Sequence, residues 1–169
     1  MFRKNNKKGF TLIELLVVIA IIGLLSTLAV VALGSARAKG RDARRLSDVK
    51  QYQLALEIFY ADQGYYPGQA SGGEIALGTD AAACLSNQGF KTTCVAAEDT
   101  EIYIKSVQAA PTPPSDSTYS YGAVDEDDVD CTSLCDSYTI TFTLESPTQG
   151  LNEGSVIATP EGISNAPTE

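Results

Sequence analysis

The sequence predicts an α+β protein in which a long N-terminal helix, membrane-spanning in its first half, packs on a small antiparallel sheet of about three strands. Three observations lead to this fold class. Residues 15–33 carry no charge, an amphipathic helical pattern continues to residue 62, and three segments between residues 118 and 159 have strand character. At 169 residues, the chain has room for one domain with a modest core.

The uncharged run is nineteen residues long. As a helix rising about 1.5 Å per residue, it comes close to crossing the roughly 30 Å hydrocarbon core of a bilayer. A chain of this size could hardly surround a helix that is apolar on every face, which disfavours a buried core helix. A cleavable secretory signal is a competing interpretation, because Ala36-Arg37-Ala38 has the small-x-small form of a cleavage site. Such a signal has an apolar region of only about 7 to 15 residues, so a membrane helix is favoured.

Glu14 lies at the start of this run, where a carboxylate needs a partner to offset its cost in the membrane. The segment from residue 8 to residue 25, KGFTLIELLVVIAIIGLL, closely resembles the N-terminal processing signal of type IV prepilins and type II secretion pseudopilins. The resemblance implies that a membrane-embedded prepilin peptidase cuts between Gly9 and Phe10 and that Phe10 is then N-methylated. It also implies that Glu14 neutralises the N-terminal amine of a neighbouring subunit during filament assembly.

Charge is segregated along the chain. Residues 1–9 are a basic leader, and residues 10–33 are the transmembrane or filament-core helix. The next segment opens with six bases, here called the basic collar: Arg37, Lys39, Arg41, Arg44, Arg45 and Lys50. The collar is either a solvated helix face or a surface that pairs with the acidic heads of neighbouring subunits. From residue 63 onward, two bases oppose sixteen acids, which disfavours direct binding of nucleic acid.

Residues 34–62 continue the helix in amphipathic form. Apolar and amphipathic residues recur at spacings of three and four, at Leu46, Val49, Gln53, Leu56 and Tyr60, flanked by Tyr52 and Phe59. Gln63-Gly64 and Pro67 predict the end of the helix. Gln63-Gly64-Tyr65-Tyr66-Pro67 resembles the Gly-x-Tyr-Pro turn that follows the long helix in many pseudopilins and some pilins.

Beyond the helix, residues 63–117 are predicted to be a variable loop region with one short helix at about residues 74–88. Residues 118–159 are predicted to form the antiparallel sheet, because residues 118–124, 137–145 and 154–159 have strand patterns. In the second of these runs Tyr138, Ile140, Phe142 and Leu144 fall on one face. Residues 160–169 are predicted to be a loose C-terminal tail.

Four cysteines, Cys84, Cys94, Cys131 and Cys135, follow the helix, as expected for disulfides in an oxidising compartment. Of the three pairings, the local one, Cys84 with Cys94 and Cys131 with Cys135, is favoured, but the sequence leaves the others open. The spacing disfavours a zinc knuckle. No C-x-x-C redox motif is present, so the cysteines are interpreted as structural.

An acidic run between two predicted strands includes Asp125, Asp127, Asp128 and Asp130 and offers oxygen ligands for calcium. Type II secretion major pseudopilins carry calcium in a C-terminal loop, and the analogy extends to this run without a matching ligand motif. The alternative is a solvated acidic hairpin. No other cofactor is predicted.

The absence of histidine removes the common acid–base and nucleophile systems, so the chain is predicted not to be an enzyme. The leading hypothesis is a structural subunit of a type IV pilus-like filament, with copies of itself, other pilins, prepilin peptidase and the membrane-bound pilus or secretion assembly machinery as partners. The resemblance places it as a single-pass protein of the cytoplasmic membrane and then in a cell-surface filament. The alternatives are a pseudopilin of a type II secretion or DNA-uptake apparatus, and a membrane-anchored or secreted binding module that could use calcium.

Overall fold

The computed structural model describes residues 10–69, 73–114, 117–125 and 129–167. Within these ranges one helix, α1 (Leu12–Gln63), is followed by eight strands. The strands are β1 (Ile75–Leu77), β2 (Cys84–Ser86), β3 (Gly89–Lys91), β4 (Ile102–Ile104), β5 (Tyr119–Val124), β6 (Ser137–Leu144), β7 (Gly154–Thr159) and β8 (Gly162–Asn165). The chain divides into two compact units, Met1–Arg37 and Ala38–Glu169.

The described part of the first unit is the beginning of α1 and the two residues before it. Every side chain from residue 10 to residue 37 is exposed, including all the large apolar ones. By length and composition, α1 contains a segment able to cross a membrane, and none of that segment is buried within the chain. The predicted long apolar helix is therefore confirmed.

The second unit, here called the head, contains two antiparallel sheets. The larger has the strand order β1-β5-β6-β7-β8, and the smaller has the order β3-β2-β4. Strand β6 lies at the centre of the larger sheet, where Ile140 is opposite Tyr121 of β5 and Ala158 of β7. Its alternate side chains, Tyr138, Ile140, Phe142 and Leu144, are buried, as their period of two predicts.

The part of α1 in the head contributes a buried stripe to the same core, formed by Leu46, Val49, Tyr52, Ala55, Leu56 and Phe59. Tyr52 packs edge-on against Tyr119 of β5, with ring centroids 5.5 Å apart. Of the predicted stripe, Gln53 is only half-buried and Tyr60 is exposed. The helix ends at Gln63, followed by Gly64 at φ 80°, a conformation that glycine adopts without strain.

The short helix predicted at residues 74–88 is wrong, because this segment contains β1 and β2 instead. Both strands are three residues long, too short for a period of two to be recognised. β1 exists because it pairs with β5, with Leu77 opposite Tyr119. β2 and β3 form a hairpin whose first residue, Cys84, is joined to Cys94 by a disulfide. The predicted loop region thus contributes to both sheets.

The loose tail predicted for residues 160–169 is also wrong in its first half. Strand β8 returns along β7 after a two-residue turn, with Gly162 opposite Thr159. The Pro/Gly/Asn/Ser composition that indicated a tail is equally that of a tight hairpin turn. With β1 at one edge and β8 at the other, the larger sheet has five strands rather than about three.

A buried ionic cluster fixes α1 to the end of β6. The side chains of Arg45 and Asp42 are fully buried, and Nη1 of Arg45 donates to Oδ1 of Asp42 at 2.7 Å. The same Nη1 donates to Oε1 of Glu145 at 2.7 Å, and Nη2 donates to the carbonyl oxygens of Pro111 and Pro113. Asp42 also accepts hydrogen bonds from the backbone nitrogens of Glu145 and Ser146, both at 3.0 Å.

Glu145 joins the cluster to a second arginine. Nε of Arg41 donates to its Oε1 at 2.7 Å, and Nη2 of Arg41 donates to its Oε2. The hydrogen bonds from Arg41, which outweigh the effect of burial, and the added interaction with Arg45 lower the pKa of Glu145 to about 2. Hydrogen bonding to Glu145 in turn raises the pKa of Arg41. The carboxylate therefore stays charged well below its ordinary titration range.

We expect Asp42→Asn to destabilise the head by about 3 kcal/mol, because donors point at both carboxylate oxygens of Asp42, an amide offers only one accepting oxygen, and Arg45 loses a buried counter-charge. Chemical denaturation of the full chain in detergent, followed by circular dichroism, measures the change. The exposed Asp80→Asn is the matched control and should stay within about 0.5 kcal/mol of the wild type. Equal effects of the two substitutions would contradict the role given to the cluster.

Stability should also depend on pH through Glu145. Its pKa is lower in the folded chain than the ordinary 4.5, so its contribution is present above pH 4.5 and is lost as the pH falls towards 2. We expect the difference in free energy of unfolding between the wild type and Glu145→Gln to shrink steadily over this interval. The exposed Glu153→Gln serves as the control. A difference that stays constant down to pH 2 would show that the pKa of Glu145 is not lowered.

Candidate functional site

The start of α1 is a reciprocal cap formed by Thr11 and Glu14. The backbone nitrogen and Oγ1 of Thr11 donate to Oε2 of Glu14 at 2.8 and 2.7 Å, and the backbone nitrogen of Glu14 donates to Oγ1 of Thr11 at 3.3 Å. This is a capping box, which satisfies backbone donors that the first turn leaves unpaired. Thr11 is a capping residue that was not predicted, although Thr-x-x-Glu before an apolar run is the sequence signal for this cap.

Phe10, the residue predicted to be N-methylated, precedes this cap and is 85% exposed. Gly9, on the other side of the predicted cleavage, lies outside the described residues. The described side of the cleavage position is thus non-helical chain ahead of a helix that begins at Leu12. An exposed, non-helical residue is the form in which a peptide bond can be presented to a peptidase.

The basic collar has two kinds of members. Arg45 is fully buried and Arg41 is bound to Glu145, so the interpretation as a solvated helix face is wrong for Arg45. Both arginines bind Glu145, which is about a hundred residues away in sequence. The spacing of residues along the helix cannot predict such a contact. Arg44 remains 57% exposed, 3.7 Å from Asp48, and Lys39 and Lys50 are exposed.

A groove runs along the head between α1 on one side and the end of β4 with the segment that follows it on the other. Its cavity volume is about 370 Å³, and its apolar lining comes from Leu54, Ala55, Ile58, Tyr103 and Ile104. We call it the helix groove. One wall is fixed where the hydroxyl of Tyr52 donates to the carbonyl oxygen of Gln108 at 2.6 Å. Burial, helped by the charge of Asp48, raises the pKa of Tyr52 and of Tyr119, so both hydroxyls stay protonated even above the pH at which an ordinary tyrosine ionises.

The predicted calcium ligands are only partly described. Asp127 and Asp128 lie outside the described residues. Of the others, Asp125 accepts a hydrogen bond on Oδ1 from the backbone nitrogen of Val129 at 3.0 Å, and Asp130 is exposed. In the described part of the chain, no three acidic, cysteine or histidine side chains are grouped so as to hold a metal ion. The described residues therefore provide no calcium-binding set.

Both disulfides in the structure are local. Cys84 is bonded to Cys94 and Cys131 to Cys135. The second closes a small loop that is hydrogen-bonded to the chain just after α1, where the backbone nitrogen of Tyr66 donates to the carbonyl oxygen of Cys135 at 2.8 Å. The first bridge therefore closes the segment that contains the β2–β3 hairpin, and the second closes a loop that precedes β6.

Comparison with known families and proteins is consistent with this architecture. Residues 4–34 match the family model described as the prokaryotic N-terminal methylation motif. Type II secretion system core protein G of Klebsiella michiganensis is 34% identical over 70 residues, which are 41% of this chain and 49% of that protein. Fimbrial protein EcpC of Eikenella corrodens is 36% identical over 73 residues, 43% of this chain and 48% of that protein. The chain thus spans about half the length of these relatives.

One relative is matched over more of its length. Type IV major fimbrial protein FimA of Dichelobacter nodosus is 32% identical over 106 residues, 57% of this chain and 68% of that protein. No solved structure shows a significant match. The motif, the exposed apolar helix and the match to FimA agree with one another and indicate a structural protein rather than an enzyme. The chain therefore belongs to the type IV pilin and pseudopilin family.

Proposed function

We propose that the chain is a structural subunit of a type IV pilus-like filament, processed between Gly9 and Phe10 and polymerised through the first part of α1. The observation that carries this proposal is the exposure of every side chain from residue 10 to residue 37 in a segment dominated by leucine, isoleucine and valine. Such a surface needs either lipid or other helices around it. In a subunit stored in the cytoplasmic membrane, lipid surrounds this segment. Once the subunit is bundled into a cell-surface filament, the helices of other subunits surround it.

Glu14 supplies the specificity of the bundle in this proposal. Lipid and neighbouring helices are similarly apolar, so an apolar surface alone does not align one helix against the next. Cleavage before Phe10 creates a cationic amine beside the membrane, and pairing it with Glu14 of another copy neutralises two charges in a low dielectric. In the structure, both capping bonds from Thr11 go to Oε2 of Glu14. A carboxylate has acceptor sites on both oxygens, so it can cap its own helix and still accept the neighbour's amine.

A second candidate function is a pseudopilin of a type II secretion or DNA-uptake apparatus. The similarity to core protein G of Klebsiella michiganensis and the Gly64-Tyr65-Tyr66-Pro67 turn favour the secretion version. The first part of α1 would work in the same way in either machine. Prepilin peptidase and a membrane assembly platform are the partners that both versions require.

Two substitutions separate the roles of charge and capping at the start of α1. Glu14→Gln keeps a side chain that can accept hydrogen bonds from Thr11 but removes the charge that would pair with the amine. Thr11→Val removes the capping hydroxyl, at a cost of about 1 kcal/mol, and leaves the charge. We expect Glu14→Gln to abolish filaments and Thr11→Val to retain them, as counted by electron microscopy of cells with prepilin peptidase and assembly machinery.

Immunoblots of the membrane fraction control for synthesis and processing, because both variants should accumulate as cleaved protein. If Glu14→Gln formed filaments at the wild-type level while Thr11→Val did not, Glu14 would serve only as a helix cap. The charge-pairing mechanism would then be wrong.

A further inference from the structure

The exposed charge of α1 has a single sign over most of the helix. The two acids between residue 15 and residue 56, Asp42 and Asp48, are both buried, and the next exposed acid along the helix is Glu57. The charged side chains that α1 exposes in this interval are all basic: Arg37, Lys39, Arg44 and Lys50. The helix therefore presents only positive charge to its surroundings between the apolar segment and Glu57.

The fold produces this separation by turning both acids inward. Asp42 belongs to the buried ionic cluster, and Oδ2 of Asp48 accepts a hydrogen bond from the hydroxyl of Tyr119 at 3.0 Å. Arg44 comes within 3.7 Å of that oxygen and is still 57% exposed. Within the described residues, Arg37 and Lys39 form no ion pair with any acid. These two bases are therefore available to a partner outside the chain.

The same two bases follow directly after the apolar segment. Leu33 is its last large apolar residue, and Arg37 and Lys39 come four and six residues later, which is a rise of about 6 and 9 Å in a helix. A bilayer about 40 to 45 Å thick with a hydrocarbon core of about 30 Å has a headgroup layer of about 5 to 7 Å on each side. Helical side chains lean towards the helix N-terminus, and long basic ones extend towards an interface. Both bases can therefore reach the headgroup layer.

An anionic headgroup is the partner that this charge and position fit. Basic residues next to a membrane segment attract anionic lipids, and guanidinium and ammonium groups donate strong hydrogen bonds to phosphate oxygens. The adjoining apolar segment needs lipid around it in any case, so the basic surface continues an existing lipid surface. From residue 63 onward the chain is strongly acidic and is repelled by an anionic membrane. Attraction to such a membrane is therefore confined to the collar.

We propose that Arg37 and Lys39 bind the phosphate groups of anionic phospholipids in the leaflet next to the end of the apolar segment. These two members of the basic collar then have a lipid as their partner, rather than water or the acidic head of another subunit. The inference rests on the membrane-stored stage of the proposed function and is independent of polymerisation. It gives that stage a preference for one class of headgroup, in addition to the burial of apolar side chains.

Tryptophan fluorescence tests this contact, because the chain has no tryptophan of its own. Leu33 is 51% exposed, so Leu33→Trp places a reporter against the neighbouring lipids. The full chain is reconstituted in vesicles of phosphatidylcholine and phosphatidylglycerol, and one lipid at a time carries brominated acyl chains that quench the reporter. We expect stronger quenching by brominated phosphatidylglycerol at equal amounts. The preference should weaken in 1 M salt, because the screening length falls to about 3 Å from about 8 Å at physiological ionic strength.

Substitutions in the reporter chain locate the preference. Lys39→Gln should lower the relative affinity for phosphatidylglycerol about fivefold, and adding Arg37→Gln should lower it again by a similar factor. Lys50→Gln is the matched control, because Lys50 is an exposed base of the same helix about 25 Å of helical rise beyond Leu33. That distance is several screening lengths, so the preference should not change. A second reporter, Leu15→Trp at the other end of the apolar segment, should not respond to Lys39→Gln.

The outcomes separate this inference from the proposed function. Equal quenching by the two lipids with the collar intact would overturn the inference and leave the filament function standing. A preference that survives Arg37→Gln and Lys39→Gln together would do the same, because other groups would then bind the headgroups. A reporter at Leu33 that neither brominated lipid quenches would lie outside the bilayer. That result would overturn both the inference and the membrane-stored stage of the proposed function.

Discussion

The rest of the molecule depends on one constraint, which is that the first part of α1 has no cover of its own. A fully buried leucine, isoleucine or valine side chain contributes about 1.5 to 3 kcal/mol relative to an exposed one, and the segment from residue 15 to residue 33 consists mainly of these residues and alanine. No side chain from residue 10 to residue 37 is buried in the structure. The protein therefore needs a membrane or other copies as part of its environment. Lipid and helix offer similar apolar surroundings, so the polar cap at Thr11 and Glu14 is where selectivity between them can arise.

The second part of the same helix is covered on one face by the chain's own sheet, unlike the first part. It belongs to a water-exposed head and buries one stripe against β5 and β6. Arg45 and Asp42 join it to Glu145 at the end of β6, so the helix is held by ionic hydrogen bonds as well as by apolar packing. Buried ion pairs contribute little net stability against an apolar replacement, but removing one partner is costly. The cluster is therefore best understood as fixing where the helix meets the sheet.

The sequence predicted the long helix, its end near Gln63 and strands β5, β6 and β7, because each has a periodic run of six residues or more. Strands β1 to β4 were not predicted, because each is only three residues long. Strand β8 was not predicted either, because the turn before it has the composition of a loose tail. The sequence predicted the importance of Glu14 from its position but missed Thr11, although the capping signal was present. Arg45 could not be predicted as buried, because Glu145, Pro111 and Pro113 reach it only through the tertiary fold.

The most direct measurement of the central claim is the intact mass and N-terminal sequence of the protein from membranes of cells that have prepilin peptidase. The account predicts a chain that begins at Phe10 with one added methyl group, so that the apolar helix is retained with its new amine next to Glu14. A chain that begins between Gly34 and Gly40 would contradict it, because the apolar segment would then be a discarded signal peptide. No filament could be held together by that segment.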